Sequence, residues 1–283
     1  MKILVADSGS TKCDWMLGTD LDKPLLIESM GFNPFYHNSE LIASKITEAF
    51  VGQSLHDIDY VYYYGAGCST DELKQIVLKG LASVFPNAKV MVSHDLDGAA
   101  IATCGNQAGI ACILGTGSNA CLWDGHSVVE HPCKFGLGFI LGDEGSGSHI
   151  GKQLLKGYFY NDMPSSLREA FESKYPDPKL IIHNTYAPGG NTYVAGFAKF
   201  AGEHKNEPYI QNLIKGVFEY YVKSHILKYE MHKEIPVNFV GSIAYLYQDI
   251  LKELSLIYQF KIGKIIKQPI DALYAFHLAQ RAS

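Results

Sequence analysis

Apolar and polar positions follow two different periods along the first hundred residues, and each change of period marks a new element. Lys2–Ala6 is a short apolar run of strand type, followed by a Gly/Ser/Thr turn at Ser8–Lys12. A second strand is expected at Asp14–Leu17 and a third near Leu25–Met30, so the three predict an antiparallel meander. From Ser39 to Phe50 the apolar residues Leu41, Ile42, Ile46, Ala49 and Phe50 fall at helical spacing, with Ser39 as the expected N-cap. Ile58–Tyr64 reads as a strand ending in Gly65-Ala66-Gly67, and Thr70 caps a helix that runs to Phe85 and stops at Pro86. Val90–Val92 is a short strand, and Asp95 heads a helix toward Cys104. Strands alternating with helices in this way predict α/β layers with a mixed sheet.

The pattern then restarts. Leu4–Gly18 (LVADSGSTKCDWMLG) lines up with Cys112–Gly125 (CILGTGSNACLWDG) at an offset of 108 residues, matching Gly9 to Gly117, Ser10 to Ser118, Cys13 to Cys121 and Trp15 to Trp123. These are the two tryptophans of the chain. Both copies read as strand, Gly-rich hairpin turn, strand, which predicts two similar domains with a cleft between them.

The length of 283 residues agrees with two domains, and a hydrophobic fraction of 47% is ample for a core. The net charge is −5 and no Lys/Arg stripe stands out, so neither nucleic acid nor an anionic membrane surface is an expected partner. MKILVADSG leads directly into a strand-like run, so no leader is expected, and no segment is apolar for the ~18 residues a membrane span needs. The six cysteines form no CxxC pair and lie mostly in apolar runs, which predicts reduced, buried thiols in a cytoplasmic protein.

Several segments could carry chemistry. The first turn, Asp7-Ser8-Gly9-Ser10-Thr11-Lys12, offers backbone N–H groups, hydroxyls, a carboxylate and a cation, a set that can wrap phosphate oxygens while Asp7 holds Mg²⁺ through water. The second turn, Gly115-Thr116-Gly117-Ser118-Asn119, has the same donors without the charge. Each is also compatible with an ordinary β-hairpin. In Ser93-His94-Asp95-Leu96-Asp97, Asp95 is either a helix N-cap or a carboxylate at a strand end that takes a proton from a substrate hydroxyl. Asp97 is its rival, and spacing alone does not choose between them. Gly136–His149 holds five glycines with Asp143 and Glu144 adjacent, ahead of an amphipathic helix at Ile150–Tyr158. The paired carboxylates suit vicinal sugar hydroxyls, or else Asp143, Glu144 or Ser146 caps the helix. Val237–Val240 ends in Gly241-Ser242 before a helix at Tyr245–Leu256, and a glycine there lets an adenine ring lie against the backbone. The Tyr60–Tyr64 run reads as packing rather than a stacking platform, and no HxxxH or HExxH spacing proposes a zinc site.

Phosphate turn, strand-end Asp, second phosphate turn, GDEGS loop and Gly-Ser turn come in the order that resembles the sugar kinase/hsc70/actin superfamily. Most closely the chain resembles the N-acetylglucosamine kinase branch of the BadF/BadG/BcrA/BcrD-type ATPase family, over most of its length. The resemblance implies an α/β fold of two ribonuclease-H-like (actin-like ATPase) domains with mixed sheets and an interdomain cleft. The first would span 1–108 plus 270–283, with the C-terminal helix Ile270–Ala282 returning to it, and the second 109–269. It implies ATP and Mg²⁺, with Asp7, Gly9, Ser10, Thr11, Lys12, Gly115–Asn119, Gly241 and Ser242 around the nucleotide and Asp7 toward the metal. Asp95 matches the catalytic base, with Asp97 outside that position. Asn33, Asp95, Gly136, Gly138, Asp143 and Glu144 fall on the sugar side. One departure is that Gly136-Leu137-Gly138 stands where mammalian-type relatives have Gly-Trp-Gly. The expectation is a kinase acting on an amino sugar, N-acetylglucosamine at O6, with glucosamine or N-acetylmuramic acid as related acceptors and a homodimer left open. A different class also stays open, an ATPase that activates a partner enzyme through a cluster on exposed cysteines, and so does a sugar-binding regulator.

Overall fold

The first apolar run and its two successors form β1 (Ile3–Ser8), β2 (Lys12–Gly18) and β3 (Leu25–Met30), paired antiparallel as the meander requires. The computed structural model describes residues 1–9, 11–19, 21, 23–129 and 136–282. Ser10 and Cys133 therefore lie outside the described residues. Two units divide the chain, one of Met1–Gln107, Trp123–Val128 and Gln268–Ser283, the other of Ala108–Leu122 and Val129–Lys267.

In the first unit β4 (Tyr60–Gly65) and β5 (Lys89–His94) continue the sheet in parallel, giving the order β3-β2-β1-β4-β5. Three helices follow the predicted spans closely: α1 (Ser39–Ala49), α2 (Asp71–Val84) and α3 (Asp95–Cys104). Thr70 caps α2 as expected, but the cap of α1 is Asn38, whose Oδ1 accepts the Leu41 N–H at 2.9 Å. Ser39 instead donates its hydroxyl to the Ile76 carbonyl of α2, tying the two helices together. The core below the sheet is aromatic. Trp15 meets Phe50 edge-on at 5.5 Å, Phe50 meets Phe85 at 5.6 Å, and the indole N–H reaches Ser29.

The second unit repeats the plan. β6 (Gly109–Leu114), β7 (Ser118–Trp123), β8 (Val128–Val129), β9 (Val237–Val240) and β10 (Ile262–Ile266) assemble in the order β10-β9-β6-β7-β8. This is the first sheet's order with the corresponding strands substituted, and β6, β9 and β10 run parallel. Between β8 and β9 come α4 (Gly138–Leu141), α5 (Gly147–Phe159), α6 (Ser165–Lys174), α7 (Pro178–Tyr186), α8 (Gly190–Gly196), α9 (Ala198–Glu203) and α10 (Pro208–Ser224). The helix expected at Tyr245–Leu256 is two helices, α11 (Ser242–Leu246) and α12 (Gln248–Tyr258), broken at Tyr247. Among the described residues no helix is long and apolar enough to cross a membrane.

The last helix, α13 (Ile270–Ala282), packs on α3, β1 and β2 of the first unit. Its His277 is buried flat against Tyr62, ring centroids 3.6 Å apart, with Nε2 2.7 Å from the Tyr64 hydroxyl. Arg281 donates to the Tyr62 hydroxyl and lies 4.1 Å from the Tyr60 ring. The tyrosine run is packing material, as its sequence context suggests. Burial, with Arg281 nearby, pushes His277 down to about 4. The unfolded chain therefore binds this proton more readily, and stability falls as pH drops from about 6.5 to about 4. His277→Gln is expected to remove about 3 kcal/mol of that acid-side loss, since each pKa unit is worth about 1.4 kcal/mol. Urea unfolding at a series of pH values would measure it, and parallel wild-type and variant curves would contradict it.

Candidate active site

In the first unit the parallel strands β1, β4 and β5 end in register, Ser8 opposite Gly65 and Gly65 opposite His94. The first turn and the start of α3 thus share the carboxyl edge of one sheet, the edge at which open α/β sheets bind ligands. The turn is closed by the Gly9 N–H to the Lys12 carbonyl at 3.0 Å. A Cβ added at Gly9 would meet only that carbonyl, at an ordinary 3.6 Å. Ser8, one of the turn's hydroxyls, holds the edge together: its Oγ accepts the Phe32 N–H and its carbonyl accepts the Ala66 N–H. That anchors Asn33 beside Gly67, where the Asn33 Oδ1 accepts the Phe35 N–H at 3.0 Å. Thr11 is exposed at the turn. Lys12, expected as a phosphate cation, points across the hairpin instead, with its ammonium 2.9 Å from Asp14 and also paired with Glu28.

Two carboxylates converge on this edge. Burial, reinforced by the charges of Asp95 and Asp14, pushes Asp7 up to about 7. Asp95 is the first residue of α3, and the helix does not need it as a cap. His94 is the N-cap, its Nδ1 accepting the Leu96 N–H at 3.2 Å, and Asp97 completes a capping box by accepting the His94 N–H at 3.1 Å. Asp97 is thereby spent on the backbone, whereas the Asp95 carboxylate stays uncommitted to it at the positive end of a helix.

In the second unit the turn Gly115–Asn119 follows β6 and is clamped by the GDEGS loop. The Gly147 N–H donates to the Gly115 carbonyl at 2.8 Å and the Ser148 N–H to the Thr116 carbonyl at 3.1 Å. Asp143 Oδ1 accepts the Ser118 N–H at 3.1 Å, so one oxygen expected to meet sugar is occupied by the turn. A Cβ at Gly117 would stand 2.7 Å from that same oxygen. Burial pushes the Asp143 carboxyl up, against the pull of the Ser118 N–H. Glu144 pairs with His225 at 3.1 Å, His225 stacks on Tyr221, and the Tyr221 hydroxyl donates to the Asn119 carbonyl at 3.0 Å. The cap of α5 is Ser146, not Asp143 or Glu144. Among the described residues the buried Ser118 Oγ has no hydrogen-bond partner. Gly136 lies beside Asn119, Gly138 opens α4, and the intervening Leu137 is 60% exposed. A groove of about 920 Å³ opens next to the loop, with Glu144, His149, Lys152 and Tyr220 among its walls.

The glycines of this edge divide into two kinds. Gly241 has φ +125°, and a Cβ there would stand 2.2 Å from the Leu114 carbonyl, so the close approach of β9 to β6 alone demands it. The fold thus accounts for the glycine by itself, and Ser242 is the exposed first residue of α11. At Gly115 a Cβ would enter open space, and the φ is not left-handed. Nothing in the fold asks for glycine there.

A solved structure from Porphyromonas gingivalis, named as a candidate N-acetylglucosamine kinase, is 34% identical, with 99% of each chain covered and a TM-score of 0.90. The chain belongs to the N-acetylglucosamine kinase family. Membership places it among the ATP-dependent sugar kinases, with the two-domain actin-like fold. Two more distant structures share that fold. A candidate N-acetylglucosamine kinase from Chromobacterium violaceum is 17% identical with a TM-score of 0.70, covering 97% of this chain and 98% of that one. A glucokinase of the ROK family from Streptomyces griseus, in complex with glucose and AMPPNP, is 14% identical with a TM-score of 0.63 and full coverage of both chains. Neither a protein-family profile nor a curated protein matches the chain. The alternative of a partner-activating ATPase gains nothing from the described cysteines of this kinase-family chain, because Cys13, Cys68, Cys112 and Cys121 are buried and Cys104 half-buried.

The two kinds of glycine make a stability contrast. Gly241→Ala is expected to destabilise the protein by roughly 2–4 kcal/mol through backbone strain, while Gly115→Ala stays within about 0.5 kcal/mol of wild type. Equal urea midpoints for the two variants would contradict the assignment.

Proposed function

We propose that the chain is an ATP-dependent kinase that phosphorylates a hydroxyl of an amino sugar, N-acetylglucosamine at O6. The observation that carries this reading is the pairing of unspent groups with membership of a sugar-kinase family: an Asp95 left over by the cap of α3, and a Gly115 that the fold does not require. Gly9 and Gly115 leave room for phosphate oxygens to approach the backbone, with Thr11, Thr116, Ser118 and Asn119 supplying further polar groups. The unpartnered Ser118 hydroxyl is a donor that such an oxygen would satisfy.

Asp95 accepts the proton of the sugar hydroxyl as that oxygen bonds to the γ-phosphorus. The bond from phosphorus to the bridging oxygen breaks, and ADP leaves with its electron pair. Asn33 and Glu144 orient the sugar, Asp143 contributes the acceptor capacity that the Ser118 N–H leaves free, and the backbone at Gly136 and Gly138 completes that side. The apolar Leu137, in place of an aromatic ring, gives the sugar a contact without stacking. The residues suit Mg²⁺: Asp7, held partly protonated by burial and by its acidic neighbours, regains its full charge beside a cation. Mg²⁺ keeps much of its hydration, so one carboxylate, water and substrate phosphates would hold it. Such an ion would neutralise charge on the transferring phosphoryl group.

Asp95→Asn should abolish transfer, by 10² or more in kcat, while leaving ATP affinity within about threefold. A coupled ADP-release assay over N-acetylglucosamine, glucosamine, N-acetylmuramic acid and N-acetylmannosamine reads both the role and the acceptor. Flat ADP release across the panel would sink the kinase reading, and a preference for another sugar would sink the acceptor assignment alone.

A further inference from the structure

The groove of about 920 Å³ beside the GDEGS loop lies wholly within the second unit. Gly142 and Glu144 are part of its wall, so it is continuous with the side proposed to receive the sugar. Its size is that of a small-molecule site. Two helices supply most of the rest. His149, Lys152, Gln153 and Lys156 fall on one face of α5, and Asn212, Gly216 and Tyr220 recur every four residues along α10.

Gly216 stands in the interior of α10, where glycine weakens a helix relative to alanine. Its φ is not left-handed, and a Cβ there would meet nothing within 4 Å. Gly157, on the α5 wall, is different: a Cβ there would collide with the Tyr209 hydroxyl, so the close approach of α10 explains it. Packing does not explain Gly216. A side chain at that position would occupy the groove.

The chemistry of the walls narrows the occupant. Among the described residues the charged groups lining the groove are Lys152, Lys156, Glu144 and Asp162, two of each sign. The Lys152 ammonium is further committed, donating to the Phe139 carbonyl at 2.8 Å above the ring of the same residue. Burial, with Lys152 nearby, holds His149 down to about 4, so its imidazole adds no third cation. Charge therefore selects neither an anion nor a cation. His149 also ties the wall to the loop: its Nδ1 accepts the Gly145 N–H at 3.1 Å, and its ring meets Tyr220 edge-on at 6.0 Å. Tyr220 nonetheless remains 57% exposed. The carboxamides of Asn212 and Gln153 offer both donors and acceptors, the latter with its nitrogen 3.2 Å from His149 Nε2. An aromatic surface beside carboxamides, with no net charge, suits a pyranose ring, which presents C–H faces and hydroxyl edges.

We propose that this groove is a subsite for a second, neutral sugar ring linked to the amino sugar that is phosphorylated, so that the acceptor class extends to disaccharides. The proposal rests on the kinase reading above. Tyr220 meets the C–H face of the second ring, Asn212 and Gln153 meet its hydroxyls, and Gly216 keeps its space open.

The probe is N,N′-diacetylchitobiose, two N-acetylglucosamine units joined by a β1,4 bond. In the coupled ADP-release assay it should be phosphorylated with a KM about threefold or more below that of N-acetylglucosamine. Gly216→Leu fills the groove and should raise the disaccharide KM about tenfold, leaving KM and kcat for N-acetylglucosamine within about twofold. Tyr220→Ala changes an exposed side chain and should raise the disaccharide KM about threefold with the same selectivity. Turnover of N-acetylglucosamine without turnover of the disaccharide, or an equal effect of Gly216→Leu on both, would overturn the subsite and leave the kinase reading intact. A larger effect of Gly216→Leu on N-acetylmuramic acid than on the disaccharide would overturn the neutral ring in favour of a carboxylate-bearing substituent. Flat ADP release with every sugar sinks the kinase reading, and calorimetric titration then still decides the groove. Disaccharide binding that Gly216→Leu weakens about tenfold supports occupancy of the groove by a saccharide, whereas absent binding, or binding that the variant leaves unchanged, overturns it.

Discussion

The N-terminus of an α-helix presents more N–H groups than the helix can satisfy, and how α3 meets that demand decides the chemistry of the first unit. Three titratable side chains stand at its start. Two of them, His94 and Asp97, close a reciprocal pair of hydrogen bonds with the backbone. The third, Asp95, is left with a carboxylate near the positive end of the helix and an acidic neighbour, Asp7, which also feels Asp14. Asp14 is itself restrained by Lys12 and by Gln268, so the crowding of carboxylates falls on Asp7, which burial and these charges push up to about 7. Such an arrangement is costly for an isolated protein and sensible for one that meets a cation and a proton donor.

The second unit meets a different constraint. Its turn after β6 has no charged side chain, so its conformation must be enforced from outside. The GDEGS loop does this with backbone groups and one carboxylate, and α10 does it through Tyr221. The loop's acidic residues therefore act on the turn, and loop and turn cannot be altered independently.

The elements whose cause is local were legible in the sequence. The meander and the starts of α2 and α3 follow from period and punctuation over a few residues, while the span of α13 came from the family resemblance. The repeat of strand–turn–strand was visible because Trp15 and Trp123 sit at equivalent places in β2 and β7. What depended on distant partners was not legible. Lys12 looked like a phosphate cation because Glu28, its partner in the next strand, lies sixteen residues away. The backbone reason for Gly241 was hidden because it is a carbonyl on β6. Asp143 read as a sugar ligand or a helix cap, and its bond to the turn was hidden because Ser118 lies twenty-five residues upstream. The helices of the second unit from α6 to α9 carried no motif, and they serve its core through Phe171, Phe197 and Phe200.

The placement of α13 has a consequence for biosynthesis. The first unit is discontinuous: its strands β1–β5 precede the second unit in the chain, and the helix that covers Tyr62 and Tyr64 follows it. Ala108–Lys267, apart from the short Trp123–Val128 stretch, is translated in the interval and can fold on its own schedule. The nascent first unit waits with an uncovered aromatic face, while those residues are made, for contacts of very long sequence separation. The unit begun earlier is thus the one completed later, and its aromatic face is open to aggregation in the interval.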